Sequence, residues 1–389
     1  MTMIELIYLI TVSVFNPVLG VGSDAILNNP ANLALPYNPV FSCKILDVIA
    51  SVGNNSFNIT QYNRCNGTFI DEIEKKSLLT SVPNRGLTIY ADAKGTMPRF
   101  NYRNWAVSVQ TDAAAEARIP KDLIDLILNG NKLDYEYSSK GATAQFTSFS
   151  KFGIGTGQRL GNFAAGLTLN YIRGLSYMRI LNYKAQFITT KRGFAGEGCM
   201  GYLKAGGGNG WAIDAGGLFY KDRFYIGLAA FDLTPGIVWQ NVAEGYWIFR
   251  VDSANLYELF VDHDKVDYRM IQTQGDNFVS FLPVRLNFGI GYHILPVYKT
   301  TLALTPAFDI ESFSLKKITA ELVSELMLWR LVAGCLTVGF DSRFGLITGI
   351  NTGLIWNGWT FDIGLKEIGG LLTLGKGAEV KVGVGYSSN

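Results

Sequence analysis

His263 and His293 are the only imidazoles in this 389-residue chain, and one of them stands where chemistry is conceivable. His263 lies in the run Val261-Asp262-His263-Asp264-Lys265-Val266-Asp267. Acid–His–acid spacing suits a general-base dyad or a cation site. A solvated loop of alternating charge reads the same way, and no nucleophile or second acidic pair is placed beside it by sequence. The stretch GTGQRLG, residues 155–161, has the glycines of a phosphate loop. It lies between strand-like segments and not ahead of a helix, which removes the anion-binding geometry. No GxSxG elbow or Walker pattern occurs, so no catalytic residue, metal site or cofactor is assigned and the chain is not read as an enzyme.

Cys43, Cys65, Cys199 and Cys335 show neither CxxC nor CxxH spacing. Cys43 and Cys65 could bridge in an oxidising compartment, and four free thiols fit the spacing equally. Asn54, Asn58 and Asn66 stand in acceptor sequons on paper.

The remaining charged residues are distributed by period. Phe281–Ile294 reads FLPVRLNFGIGYHI: Leu282, Val284, Leu286, Phe288, Ile290, Tyr292 and Ile294 share one parity, and Arg285, Asn287 and His293 share the other. The same alternation recurs over Leu302–Ile310, Ile318–Leu328, Phe344–Trp356, Phe361–Lys366 and Glu379–Tyr386. Upstream it recurs near Trp105, Leu167, Trp211 and Phe224. A period of two over such lengths is a strand signal, and Gly161-Asn162 and Asn357-Gly358 are hairpin signals. The polar parity carries Asp214, Arg285, Asp309, Lys317, Glu321, Glu325, Asp362 and Lys366. These are candidate interior residues, read first as cross-strand pairs that stabilise a wall and alternatively as a selectivity-setting lining.

The elements that position them follow from composition. Charged residues make up 17% of the chain, against about 25% in an ordinary soluble domain, while 43 Gly, 19 Tyr and 24 Phe enrich it in turns and apolar surface. The formal net charge is +2 and no basic run occurs, so nucleic acid is not implied. Residues 6–15, LIYLITVSVF, are too short to span a bilayer as a helix and match the apolar part of a signal peptide, with cleavage expected at 20–22. The charge ahead of them, Glu5, is of the wrong sign for such a peptide. An exported chain with apolar strand faces and no spanning helix has the closed barrel as its route into a membrane. Strands of about ten residues, a small-residue polar face, and aromatics near strand ends (Trp105, Trp211, Tyr292, Trp329, Trp356, Trp359, Tyr386) favour that reading. The expectation is an all-β transmembrane antiparallel barrel of about fourteen strands over 37–389, with short helices in loops at 68–82, 120–130 and 253–260. A soluble sandwich with the apolar face buried is the competing architecture.

The stub GSDAILNNPANLALP, residues 22–36, cannot build a core of its own. Asn29-Pro30 reads as an N-cap followed by the first helical position, Ala31-Asn32 continue that turn, and Asp24 can cap an earlier one. Such capped turns suit a polar lumen.

Here the chain resembles a known group. SDAILNNPANLAL after a signal peptide is similar to the D-A-x-x-x-N-P-A-x-L signature of FadL-like proteins. That group includes long-chain fatty-acid transporters, PorV/TraF-like proteins and a set of uncharacterised predicted outer-membrane barrels. WAIDAGGLFYKDRFYIGLAAFDLTPGIVWQ (211–240) and FLPVRLNFGIGYHI resemble its paired strands, and ARIPKDLIDLILNGNKLDYEYS (117–138) looks most like the uncharacterised members. The resemblance implies a fourteen-stranded barrel in the bacterial outer membrane with residues 21–36 folded inside as a hatch, and gate roles for Asp24, Asn29, Pro30, Ala31 and Asn32. It implies membrane lipid as surroundings and either a small hydrophobic ligand or, as for PorV, a secretion partner bound at loops 63–86, 117–132 and 252–278. A soluble periplasmic β-protein is the remaining alternative. The chain departs from the group at its end, Tyr386-Ser-Ser-Asn389, which lacks the usual terminal aromatic.

Overall fold

The computed structural model describes residues 18, 20–191, 193–233, 236–254, 266–295, 297–309, 314–328, 331–369 and 374–388. Within them the chain forms one closed antiparallel sheet of fourteen wall strands. In chain order these are β1 (Phe41–Asn54), β2 (Leu87–Tyr102), β3 (Trp105–Ile119), β4 (Thr143–Leu160) and β5 (Phe163–Thr190). β6 (Gly193–Lys221), β7 (Phe224–Phe231), β8 (Val284–Leu295), β9 (Tyr298–Asp309) and β10 (Ser314–Leu328) follow. β11 (Val332–Asp341), β12 (Gly345–Trp356), β13 (Trp359–Ile368) and β14 (Gly377–Ser388) complete the wall. Closure is direct: β14 pairs with β1, with Val48 opposite Val382. Pairing every strand with two neighbours removes the open edges that hydrocarbon does not tolerate.

The parity reading places the apolar face outward. Leu302, Leu322 and Val338 lie side by side on β9, β10 and β11 and are exposed, while Thr301, Val323 and Thr337 beside them are buried. Leu167, Ile290, Ile350, Ile363 and Val382 are likewise exposed. An outward belt of this kind over a closed sheet is a lipid-facing surface, which rules out the sandwich and the soluble alternative.

Two apolar residues depart from their parity. Leu282 and Phe344 stand just before β8 and β12 begin, so alternation does not bind them, and both turn inward. Leu282 joins Ile237 and Trp239, and Phe344 stacks on Tyr90 at 4.4 Å.

The two ends differ. Hairpins at 103–104, 161–162, 222–223 and 357–358 have two-residue turns, and Asn357 and Gly358 both take positive φ, as that turn type requires. Trp105, Trp356 and Trp359 mark this end on the outside. The opposite end carries long connections with helices Ile59–Cys65, Glu72–Ser81 and Lys121–Asn129. The second and third are those expected at 68–82 and 120–130. Gly130 ends the last with φ 71°. The first hides behind an Asn58–Gln61 capping box with no apolar stripe to reveal it. Two-residue turns on one side and the longest loops on the other, beside a short connection at 342–344, are the asymmetry of outer-membrane barrels.

β5 and β6 run to 28 and 29 residues, well past the roughly ten that a tilted span needs. Their far halves rise above the wall and are joined by Glu136–Ser138 on one side and the hairpin Val242–Ala254/Val266–Gln274 on the other. The helix expected over 253–260 starts inside that hairpin strand, and the rest of it lies outside the described residues, as do His263, Trp329 and the stretch 6–15. All four cysteines are free; Cys43 is near the short-turn end and Cys65 in a long-loop helix.

Candidate functional site: the hatch and its socket

Residues 20–38 lie inside the barrel near the short-turn end. Two 3-10 turns, Gly22–Asp24 and Pro30–Ala34, flank one α-turn, Ala25–Asn28. The second turn forms as the sequence suggests: Asn29 is its N-cap, its side chain accepting from the Ala31 N–H at 3.0 Å, and Pro30 follows. The same Asn29 donates from Nδ2 to the Gly217 carbonyl at 3.1 Å, tying the turn to β6. Asn32 donates from Nδ2 to the carbonyls of Val18 (2.7 Å) and Gly20 (3.0 Å), folding the segment on itself. Ala31 is fully buried. Short turns of this kind are not stable alone, and wall contacts supply what they lack.

The wall is shaped to receive them. A side-chain carbon on Gly166 of β5 would overlap the Pro30–Ala31 backbone, and one on Gly216 of β6 would overlap the Asn29 amide. Gly157 of β4 faces the carbonyl of Pro30 in the same way. Of the glycines of GTGQRLG, Gly155 and Gly157 therefore face the hatch, and Gly161 sits in the hairpin turn with φ 62°.

Asp24 departs from the capping role. Its carboxylate makes no bond to its own turn and instead takes a hydrogen bond from Arg99 Nη2 of β2. The same Nη2 donates to Asp47 of β1 at 2.6 Å, and both Asp24 and Arg99 are almost fully buried. Burial alone would raise the Asp24 pKa, but the Arg99 guanidinium beside it, with Lys44 and Lys381 farther off, holds it below the ordinary 3.8.

Above the hatch, toward the long loops, is a cavity of about 260 Å³. Its apolar lining comes from Ile26 and Leu27 of the hatch with Phe149, Phe231 and Leu282. Its charged lining includes Asp92 and Lys94; Lys151 pairs with Asp232, and Asp112 accepts from Gln110 at 2.7 Å. Asp214 and Arg285 border this space. Asp214 accepts from Asn170 Nδ2 at 2.7 Å and from the Asp232 N–H at 2.8 Å, and the Arg285 guanidinium lies 4.6 Å from the Phe231 ring centre.

The other six interior candidates do not gather at the cavity. They form pairs along the wall: Asp309 with Lys316 (2.8 Å), Lys317 with Asp341 (2.9 Å), Glu325 with Lys299 (2.7 Å), Lys366 with Glu321 (2.6 Å) and Asp362 with Lys44 (2.5 Å). His293 is buried on the inner face, its ring edge-on to Tyr225 at 5.7 Å.

Arg99, Lys44 and Asp47 escaped the reading of parity, for a local reason. The register of β1 shifts between Lys44 and Leu46, and that of β2 shifts between Thr96 and Arg99. Each bulge moves the inward face to the other parity. Pro98, which cannot donate to a ladder, is the sequence signal that marks the second.

Comparison with known proteins agrees with the barrel fold. Residues 30–198 match a family described as a family of unknown function, DUF5723. No curated protein matches the sequence. Among solved structures the barrel is similar to the Pseudomonas putida toluene transporter TodX, at TM-score 0.51 and 8% identity over 94% of this chain and 93% of that one. It is similar also to a Pseudomonas aeruginosa FadL homologue, at TM-score 0.54 and 10% identity over 94% of both chains. The fold is the FadL type. In this FadL-type barrel the inner face is divided between a glycine socket that seats the N-terminal segment and a small cavity above it.

Proposed function

We propose that the protein is a bacterial outer-membrane barrel that binds or passes small hydrophobic molecules, with residues 21–36 as the gate. The observation that carries this reading is the position of the hatch. It lies beside the cavity and presents Ile26 and Leu27 to it, so that a bound apolar molecule would touch the gate directly. A cavity of about 260 Å³ is of the size of a small ligand and not of a protein segment. The likeness of fold to a toluene transporter supports the same substrate class. Asp24, Asn29, Pro30, Ala31 and Asn32 hold the gate shut through the contacts above, and no covalent chemistry is required.

A second reading has one observation in its favour. The hairpin beyond the wall exposes Trp247, Tyr268 and Met270 on one face, a partly aromatic surface that a secretion partner could use. Mass spectrometry of the protein purified in mild detergent separates the two. A small apolar molecule that co-purifies, and that is lost on Phe231→Asp, supports the gate reading. A stoichiometric protein partner with no small molecule supports the platform.

A further inference from the structure

The charges around Arg99 form a linked group. Lys44 pairs with Asp362, Lys381 lies 3.6 Å from Asp47, and Arg99 meets Asp24 and Asp47. With Asp24 in place the group holds three cations against three carboxylates, and without it three against two. Asp24 is the member that belongs to the hatch; the other five belong to wall strands β1, β2, β13 and β14. Arg99 is 2% exposed, and its Nε and Nη1 have no hydrogen-bond partner. A buried guanidinium with unused donors, in a group that turns net positive when one carboxylate leaves, is a receptor for an anion.

We propose that the wall carries a carboxylate-binding site centred on Arg99, that Asp24 fills it in the closed state, and that a short monocarboxylate competes with Asp24 and so loosens the hatch. The preference for a carboxylate over a larger anion follows from the present occupant: the space is that of an aspartate head, and a planar two-oxygen group is what a guanidinium fork matches. Ligand and gate then share one site, and opening needs no separate trigger. The coupling rests on the gate reading above; the site itself does not.

The test uses the full chain in detergent, with propionate as probe and propionamide, its neutral analogue, as control, at constant ionic strength. Calorimetry is run on the unaltered protein, on Asp24→Ala, and on Asp24→Ala combined with Arg99→Gln. Heat-modifiable gel migration confirms that each is a folded barrel. Asp24→Ala is expected to bind propionate at least tenfold more tightly than the unaltered protein, to ignore propionamide, and to lose the gain when Arg99 is also changed. Asp24→Ala with no propionate binding overturns the site, and equal binding by the double variant overturns its assignment to Arg99. Uptake of an apolar dye by cells making Asp24→Ala reports the gate independently. Raised uptake without propionate binding keeps the gate and sinks the anion site. Propionate binding with unchanged uptake keeps the site and sinks its coupling to opening.

Discussion

At the scale of single residues, Arg99 is the one on which most depends. It serves two buried carboxylates, Asp24 and Asp47, through one nitrogen. Removing one partner of a buried ion pair strands the other in a poor solvent, at a cost of about 3–5 kcal/mol. Arg99→Met is therefore expected to lower unfolding stability by roughly that amount in a urea titration in detergent. Asp24 gives a pH prediction. Its pKa in the folded protein is below the ordinary 3.8, so its anchoring contribution is complete above that value and is lost as the pH falls through the folded pKa. Protease access to the hatch is expected to rise in this acid range only, and Asp24→Asn is expected to show raised access already at neutral pH, with no acid step. Little of this was legible in sequence. Asp24, Asn29 and Asn32 stood out by type and spacing, whereas Arg99 and Asp47 were hidden because a one-residue register shift leaves no trace in an alternation count.

At the scale of elements, the sequence was read most easily where one rule acts alone. β8 through β14 alternate cleanly because lipid on one side and a wet interior on the other impose a period of two on each residue. Asn357-Gly358 was visible because its backbone angles demand those residue types. Alternation says less about the long β5 and β6, whose far halves extend past the wall, where the lipid rule stops applying. The hatch depends on the wall as much as on its own caps. Gly166→Val places a side chain where the Pro30 backbone lies, and the hatch has to move. The expected result is a chain in which limited proteolysis trims residues before Phe41 while the barrel still shows heat-modifiable migration. A hatch that stays protected in this variant contradicts the socket.

At the scale of the whole molecule, the organising fact is the direction of the apolar face. Leu322 sits between Leu302 and Val338 in the outward belt, midway along β10. Leu322→Arg at such a depth is expected to cost about 2–4 kcal/mol of folding free energy in lipid vesicles, and Thr319→Ser, on the inner face, is expected to cost much less. Equal effects would contradict the membrane orientation. The same orientation explains the interior. A closed wall with small and charged residues inside encloses a lumen, and the N-terminal segment, the wall ion pairs and Leu282 with Trp239 occupy part of it. The most direct measurement is uptake of a fluorescent apolar dye, one excluded by an intact outer membrane, in cells making either the full chain or a chain lacking residues 21–35. Several-fold faster uptake with the shortened chain, at equal amounts of folded barrel, is the predicted result; identical uptake by the two would contradict the hatch as a gate.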